Sequence, residues 1–430
     1  MKRLSFLLLL IGLLTFSLGI NASSNHHFST STPPSVDKNQ VETSPQTVYP
    51  LTKQLQVYEW YFAQSELWQG VIKDSSQHEE AWMNYYTANR MMHLLGSEVA
   101  QNNLDAIVEK MSQKIPDTYA YHYVKYWNGT DGQNLFENLK KAYHIDANRP
   151  ETYRKFIAHY ELNQDAENKS VFCQKWFDSN DLSAGILAWN YNVLMSLEEN
   201  ALIITQGEND TYPIWVLQQV QQVRPDVQVL NLDLLRNTDY RQEILTSLQI
   251  PDFTSVETAY TDVLSYQSAL CSHLVQHGQK YPIHFGVAIA PDIQQAFEQN
   301  LYLTGLAFKH STQAFDNTKA LVNNYEDQFL TDYLKVDFQQ DVSASVVNQM
   351  NLSYIPPFLM LYDYYRNEEA LGKAETVKNL ALQVAEKGGR KEAIEAYLNE
   401  EKKETFQSRV VVSIKKVDGQ MKAIRENLYA

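Results

Sequence analysis

Residues 201–233 read ALIITQGENDTYPIWVLQQVQQVRPDVQVLNLD, and this stretch decides the fold. The apolar run from Ala201 to Thr205 has the length and β-branched content of a buried strand. Gly207 breaks it. Asn209, Asp210 and Thr211 are residues that cap helices, and Pro213 suits a first helical turn. Ile214, Leu217 and Val220 then recur at helical spacing, with Trp215 and Val216 widening the apolar face. Arg224-Pro225-Asp226 stops the helix, and Val227 to Leu232 reads as a second buried strand. The result is a β-turn-α-β unit with an acidic loop at the carboxyl end of its first strand.

Downstream, helices are expected near 239–248 and 257–277, the latter lined by Tyr260, Val263, Leu264, Leu270 and Leu274. Tyr281 to Val287 (YPIHFGV) reads as a third strand. Pro291-Asp292 opens another helix, and LYLTGLAF (301–308) gives a fourth strand or strand-like return. Strands alternating with helices imply a mainly parallel sheet, so residues 201–312 are expected to form a small α/β domain.

Helices dominate on either side. In residues 49–200, Tyr58, Tyr61, Phe62, Leu67, Trp68, Val71 and Ile72 share one face. Leu104, Ile107, Val108 and Met111 share another, as do Leu135, Phe136, Leu139, Ala142 and Tyr143. Asn148-Arg149-Pro150 turns the chain into a helix lined by Tyr153, Phe156, Ile157 and Tyr160. Residues 313–430 return to helix, broken near Gly388-Gly389 and ending in an alternately charged tail (Lys415, Lys416, Asp418, Lys422, Arg425, Glu426). Short turns between amphipathic helices are what helical repeats require. AWMNYYTANR (81–90), AYHIDANRPETY (142–153) and GGRKEAIEAYL (388–398) resemble tetratricopeptide repeats, with Ala142, Ala393 and Tyr397 in packing positions. Ala147 stands where that family's junction carries proline, and no clean 34-residue period lies over the region. The expected fold is therefore mixed α and α/β, with tetratricopeptide-like helical repeats flanking the small α/β domain.

The chain has 430 residues, a hydrophobic content of 44% and a formal charge of -15. The length allows two or three domains with a sizeable core. The negative field repels nucleic acid and anionic lipid, so neither is an expected partner. Lys2-Arg3, the apolar Leu4 to Leu18 and the Gly19-Ile20-Asn21-Ala22 site read as a signal peptide over 1–22. That apolar core is short for a membrane span, and no other stretch is long enough to be one. Residues 23–48 are Ser/Thr/Pro-rich and aperiodic, which reads as a disordered linker. The expectation is an exported, periplasmic protein. Export permits Cys173 and Cys271 to pair. Each lies in a helical pattern in a different segment, and two buried thiols is the favoured reading.

Three blocks carry a second likeness: GENDTYPIWVLQQVQQVRPDVQVLNLDLL (207–235), YPIHFGV (281–287) and YLTGLAFKH (302–310). In this order they resemble the soluble C-terminal region of bacterial protein O-mannosyltransferase-like membrane proteins, a family known mainly from Bacteroidetes. Asp332-Tyr333-Leu334 and the closing helices add to the likeness, which runs over roughly residues 200–400. Those relatives carry a membrane-embedded transferase part. Here tetratricopeptide-like helices take its place, so the resemblance implies a soluble accessory domain that recognises a glycan or a partner protein. It does not carry glycosyl transfer across.

In open α/β sheets, ligands bind beyond the carboxyl ends of the strands. Glu208, Asn209, Asp210 and Thr211 follow the first strand, and Asp233 ends the second on the same edge. With Asp292 after the third strand, three acidic groups can hold a cation or grip sugar hydroxyls. They argue against a bare phosphate. The competing reading is that Asp210 or Thr211 merely caps the helix, worth about 1 kcal/mol. Gly207 stands without the GxGxxG that a dinucleotide needs, and no serine elbow, HExxH or P-loop occurs, so no cofactor is expected and no metal is assigned. His284 and His310 are positioned to act as acid or base beside Glu208 and Asp210, although strand histidines more often pack in the core. Tyr212 and Trp215 lie where a sugar face can stack, with core packing as the plainer role for Trp215.

The reading that follows is an interaction protein of the cell envelope, binding a protein partner or an envelope glycan through helical surfaces. The alternatives are a glycan- or cation-binding module at the acidic loop, and a glycan-directed hydrolase or transferase using Glu208 and Asp210 with Asp233.

Overall fold

The computed structural model describes residues 44–129, 135–254, 257–336 and 341–400. The expected leader (1–22), residues 23–43 of the expected linker and the charged tail beyond residue 400 lie outside the described residues. The described chain forms two compact units. One comprises residues up to Glu161 with Ala166–Asp181, and the other runs from Leu182 onward together with Leu162–Asp165.

The first unit is a succession of helices: α1 (Tyr58–Asp74), α2 (Glu79–Leu94), α3 (Glu98–Lys114), α4 (Tyr119–Asn128), α5 (Leu135–Ile145), α6 (Tyr153–Leu162) and α7 (Ala166–Asp178). Their ends are set locally. The His78 ring accepts from the Ala81 amide ahead of α2, and the Thr118 hydroxyl accepts from the Tyr121 amide ahead of α4. Left-handed Gly129 closes α4, and Pro150 opens the short turn into α6. The apolar stripes meet as expected: Ile72, Trp82, Tyr86, Leu104, Ile107, Met111 and Val124 form one core. Phe156 stacks on Phe172 with centroids 4.3 Å apart. Ala142 is fully buried, the small residue that lets neighbouring helices approach.

The last five residues of the Ser/Thr/Pro-rich stretch, 44–48, depart from the expected disorder. Gln64 and Asn84 accept hydrogen bonds from their backbone amides, and Val48 is buried. Composition alone hides this, because the partners lie on helices far along the chain.

The second unit is built on a five-stranded sheet: β1 (Leu202–Thr205), β2 (Gln228–Asn231), β3 (Ile283–Gly286), β4 (Leu301–Leu303) and β5 (Ala307–His310), in the order β2-β1-β3-β5-β4. β1 pairs in parallel with β2 and β3, with Ile203 opposite Val229 on one side and His284 on the other. β5 runs antiparallel to both β3 and β4. The sheet is thus mixed rather than mainly parallel. The 301–308 stretch is a hairpin, not one strand, because Gly305 at φ +146° turns the chain back.

Helices α8 (Ala184–Met195), α9 (Tyr212–Gln221), α10 (Thr238–Ser247), α11 (Val263–His277) and α12 (Pro291–Gln295) accompany the sheet. α13 (Asn317–Asn323), α14 (Ala344–Asn351), α15 (Ile355–Asn367), α16 (Leu371–Lys387) and α17 (Lys391–Glu400) follow. Gly388 lies so close to Leu352 that a Cβ would meet its Cδ2 at 2.3 Å, which places the break where it is. In α17 the buried positions are Ile394 and Leu398, whereas Ala393 is exposed. The expected register there is off by one residue, since both Ala393–Tyr397 and Ile394–Leu398 satisfy the i, i+4 spacing.

Candidate functional site

The carboxyl ends of β1 and β2 lie side by side, as the β-turn-α-β reading requires, and the five predicted residues gather there. β1 runs into Gln206-Gly207, and Glu208 to Thr211 lead into α9. Asp210 is 5% exposed and Thr211 is wholly buried, while Glu208, Asn209 and Asp233 are half-buried.

Asp210 does not cap α9. Thr211 is the residue preceding that helix, and its side chain makes no capping hydrogen bond. Instead the Asp210 carboxylate folds back over the loop, and Oδ2 accepts from the Gln206 amide at 3.2 Å. A Cβ on Gly207 would meet Oδ1 at 2.9 Å, so glycine is what lets the carboxylate sit there. Oδ1 is buried without a hydrogen-bond partner among the described residues. Burial raises the Asp210 carboxyl to about 7, against the lowering effect of the loop amides and with Asp233 adding to the rise.

Around it runs a network that the sequence reading missed. Asn231 Nδ2 donates to Thr211 Oγ1 at 2.9 Å and to the Gln206 carbonyl at 3.2 Å. Asn231 Oδ1 accepts the amides of Asp233 and Leu234. Thr211 Oγ1 donates to Thr205 Oγ1 or the Gly207 carbonyl, 2.8 and 2.7 Å away. Gln206 Nε2 donates to Gln267 Oε1, and Gln267 Nε2 donates to Asp233 Oδ1 at 2.8 Å. Gln206 Oε1 accepts from the Ala290 amide beyond β3. A polar residue set inside an apolar run is the signal for each: Gln206 after LIIT, Asn231 in VLNL, and Gln267 among the apolar positions of α11.

The third acidic group does not join them. Asp292 is exposed, and no group of three His, Cys, Asp or Glu that could hold a metal ion occurs among the described residues. Tyr212 and Trp215 stack on each other at 5.3 Å and are both buried, so neither face is open to a sugar. His284 lies in β3, fully buried, and its Nε2 is 3.5 Å from Glu198 rather than beside Asp210. His310 sits in β5 with its ring edge-on to Phe297. Cys173 and Cys271 are buried free thiols, and burial pushes that of Cys173 up to about 12.

This same stretch carries the relationship to known proteins. A family model, TMEM260-associated domain 2, matches residues 187–252, from within α8 to just past α10. TMEM260 is a protein O-mannosyltransferase-like membrane protein. The match takes in the acidic loop, β1, α9 and β2, which is the first of the three blocks that carry the sequence resemblance. No curated protein matches the chain. Among solved structures, the crystal structure of yeast Tom70 aligns over 94% of this chain and 72% of its own, at 13% identity and a TM-score of 0.28. Among the described residues, no helix is long and apolar enough to cross a membrane.

Proposed function

We propose that this chain is an exported interaction protein of the bacterial cell envelope, of the Bacteroidetes type that the resemblance implies, binding a protein partner or envelope component through helical surfaces. The observation that carries the reading is the state of the sheet's carboxyl edge. An enzyme of this architecture holds its substrate there. Here Gln206, Asp210, Thr211, Asn231 and Gln267 are all buried and bonded into the loop. Apart from Asp210 Oδ1, the polar groups of this edge are spent on contacts within the chain, and they brace the loop. Export rests on the basic-apolar-small pattern of residues 1–22.

One observation favours the second reading, a glycan- or cation-binding module at the same loop. Asp210 Oδ1 is a buried acceptor lacking a hydrogen-bond partner among the described residues, and a ligand hydroxyl or cation would satisfy it.

A thermal-shift screen against divalent cations and envelope saccharides separates the two, with Asp210→Asn run beside the parent. A ligand at a hundred times its Kd stabilises the folded chain by about 2.7 kcal/mol. The interaction reading expects no shift. A shift seen in the parent and lost in the variant would replace it with the second reading.

A further inference from the structure

Residues 44–54 carry no regular secondary structure until the turn at Pro50, yet their backbone is read by side chains of α1 and α2. Gln64 Oε1 accepts from the Gln46 amide at 2.7 Å, and Trp68 Nε1 donates to the Gln46 carbonyl at 2.8 Å. Asn84 Oδ1 accepts from the Val48 amide at 2.6 Å. The N–H and C=O of one residue, and the N–H two residues on, all face the same surface. That is the alternation of an extended chain. Further along, the Leu51 amide points at Met91 Sδ, 3.2 Å away, and Tyr61 donates to the Gln54 carbonyl at 3.2 Å.

The reading side chains are themselves fixed. Asn84 Nδ2 is spent on the Glu80 carbonyl of its own helix, which leaves Oδ1 aimed at the segment. Gln64, Asn84 and Met91 are buried, and so are Val48 and Leu51 of the segment. Up to Leu51, and again at Gln54, backbone groups supply the polar contacts, whereas the Thr52 hydroxyl accepts from Arg154 and Lys53 pairs with Asp181. Over residues 44–51 the groove therefore specifies an extended shape and two apolar positions rather than a sequence.

We propose that residues 44–51 are a tethered stand-in for a ligand, and that the groove on α1 and α2 takes an extended peptide of a partner protein with aliphatic residues in the places of Val48 and Leu51. The inference rests on the interaction reading above and names its partner. A segment joined directly to α1 acts at a high effective concentration, so it holds the groove closed against a peptide of equal intrinsic affinity. Partner binding is then limited by the fraction of chains in which the segment has lifted.

The test is a fluorescein-labelled peptide SPQTVYPLTK, the sequence of residues 44–53. Its binding is followed by anisotropy with the parent and with Val48→Asp, which loosens the segment and leaves the groove intact. The peptide is expected to bind Val48→Asp at least about tenfold tighter than the parent. Adding Asn84→Ala to that variant is expected to weaken binding about tenfold. Equal affinity for parent and Val48→Asp, or no binding to either, overturns the inference. A doubled mass by light scattering for Val48→Asp also overturns it, in favour of segments exchanged between copies. Should Val48→Asp not fold, hydrogen exchange of the parent decides. The Gln46 and Val48 amides are expected to exchange at least about tenfold faster than those at the centre of α2, and equal protection would make the segment a permanent part of the core. A saccharide or cation shift dependent on Asp210 would end the interaction reading without altering peptide affinity, so the two failures stay separate.

Discussion

Nε2 of His284 lies 3.5 Å from Oε2 of Glu198, and neither ring nitrogen of this wholly buried histidine has a hydrogen-bond partner among the described residues. Lys309, opposite His284 in the antiparallel pairing, holds the other Glu198 oxygen at 2.7 Å. Burial keeps the imidazole below its ordinary range. Glu198 opposes that effect, while Lys309 and Arg224 reinforce it. Contact with His284, aided by Lys309, holds Glu198 down at about 2.

The unfolded chain therefore takes up a proton on this histidine before the folded chain does. Stability from the neutral ring is complete above the unfolded value of about 6.5 and is lost as pH falls through it. Glu198 adds a loss at lower pH, setting in below its unfolded value of about 4.3. Urea midpoints between pH 7.5 and 5 should fall for the parent and fall less for His284→Leu. Parallel profiles would show that His284 titrates alike in both states.

Asp210 has the opposite sign. Its folded value, raised to about 7, lies above the unfolded value of about 3.9. Its contribution is complete below 3.9 and is lost as pH rises toward 7, because over that range the unfolded carboxyl gives up its proton while the buried one retains it. The stability of Asp210→Asn relative to the parent should improve by about 2–3 kcal/mol between pH 5 and pH 7. A pH-independent difference would mean that Asp210 is already charged in the folded chain at pH 5. The helix-cap reading predicts a plain loss of about 1 kcal/mol with no such slope.

Much of the second unit was legible because its signals are local. An apolar run, a glycine and a proline-bounded amphipathic segment specify β1, α9 and β2 nearly to the residue. The acidic loop was correctly placed for the same reason. Its role was not legible. Whether Asp210 caps forward onto α9 or folds back onto Gln206 depends on loop torsions, and its burial depends on Asn231 and Gln267 arriving from elsewhere in the sequence. The stretch LYLTGLAF was left open between one strand and a return, because Thr304-Gly305 is only a short break in an otherwise apolar run. The docking of residues 44–48 was missed because the polar contacts are made by the backbone of Gln46 and Val48, which composition does not encode.

Arg224 illustrates a residue whose sequence role, stopping a helix, understates its work. Its guanidinium pairs with both Asp226 oxygens at 2.9 Å and donates to the carbonyls of Leu194, Leu197 and Glu198. It thereby ties the last turn of α8 and the residues just after it to the turn before β2. The pair with Arg224 also lowers Asp226 to about 2. Arg224→Ala should cost about 2–4 kcal/mol in chemical denaturation. Arg224→Lys should recover less than half, because one ammonium cannot reproduce the planar fork. Full recovery by lysine would reduce the clamp to simple charge.

Gly305 and Ser196 provide the sharpest packing test. Gly305 holds φ +146°, where an L side chain is strained, and a Cβ would meet Ser196 Oγ and Phe329 Cζ at 2.5 Å each. Ser196 Oγ donates to the Asn192 carbonyl and accepts the Leu306 amide, while Thr304 donates to the Ser196 carbonyl. The β4–β5 turn is thus pinned to the end of α8 at a point with no spare volume. Gly305→Ala should cost about 2–4 kcal/mol from strain and overpacking together. Ser196→Ala should cost about 1–2 kcal/mol, since it orphans the buried Leu306 amide. The two residues touch, so their effects should not add. Removing Oγ relieves one of the two clashes, and the double variant should be at least about 0.5 kcal/mol more stable than the sum of the single changes predicts. Strict additivity would mean that the strain at Gly305 comes from backbone torsion and Phe329, with Ser196 free to move aside.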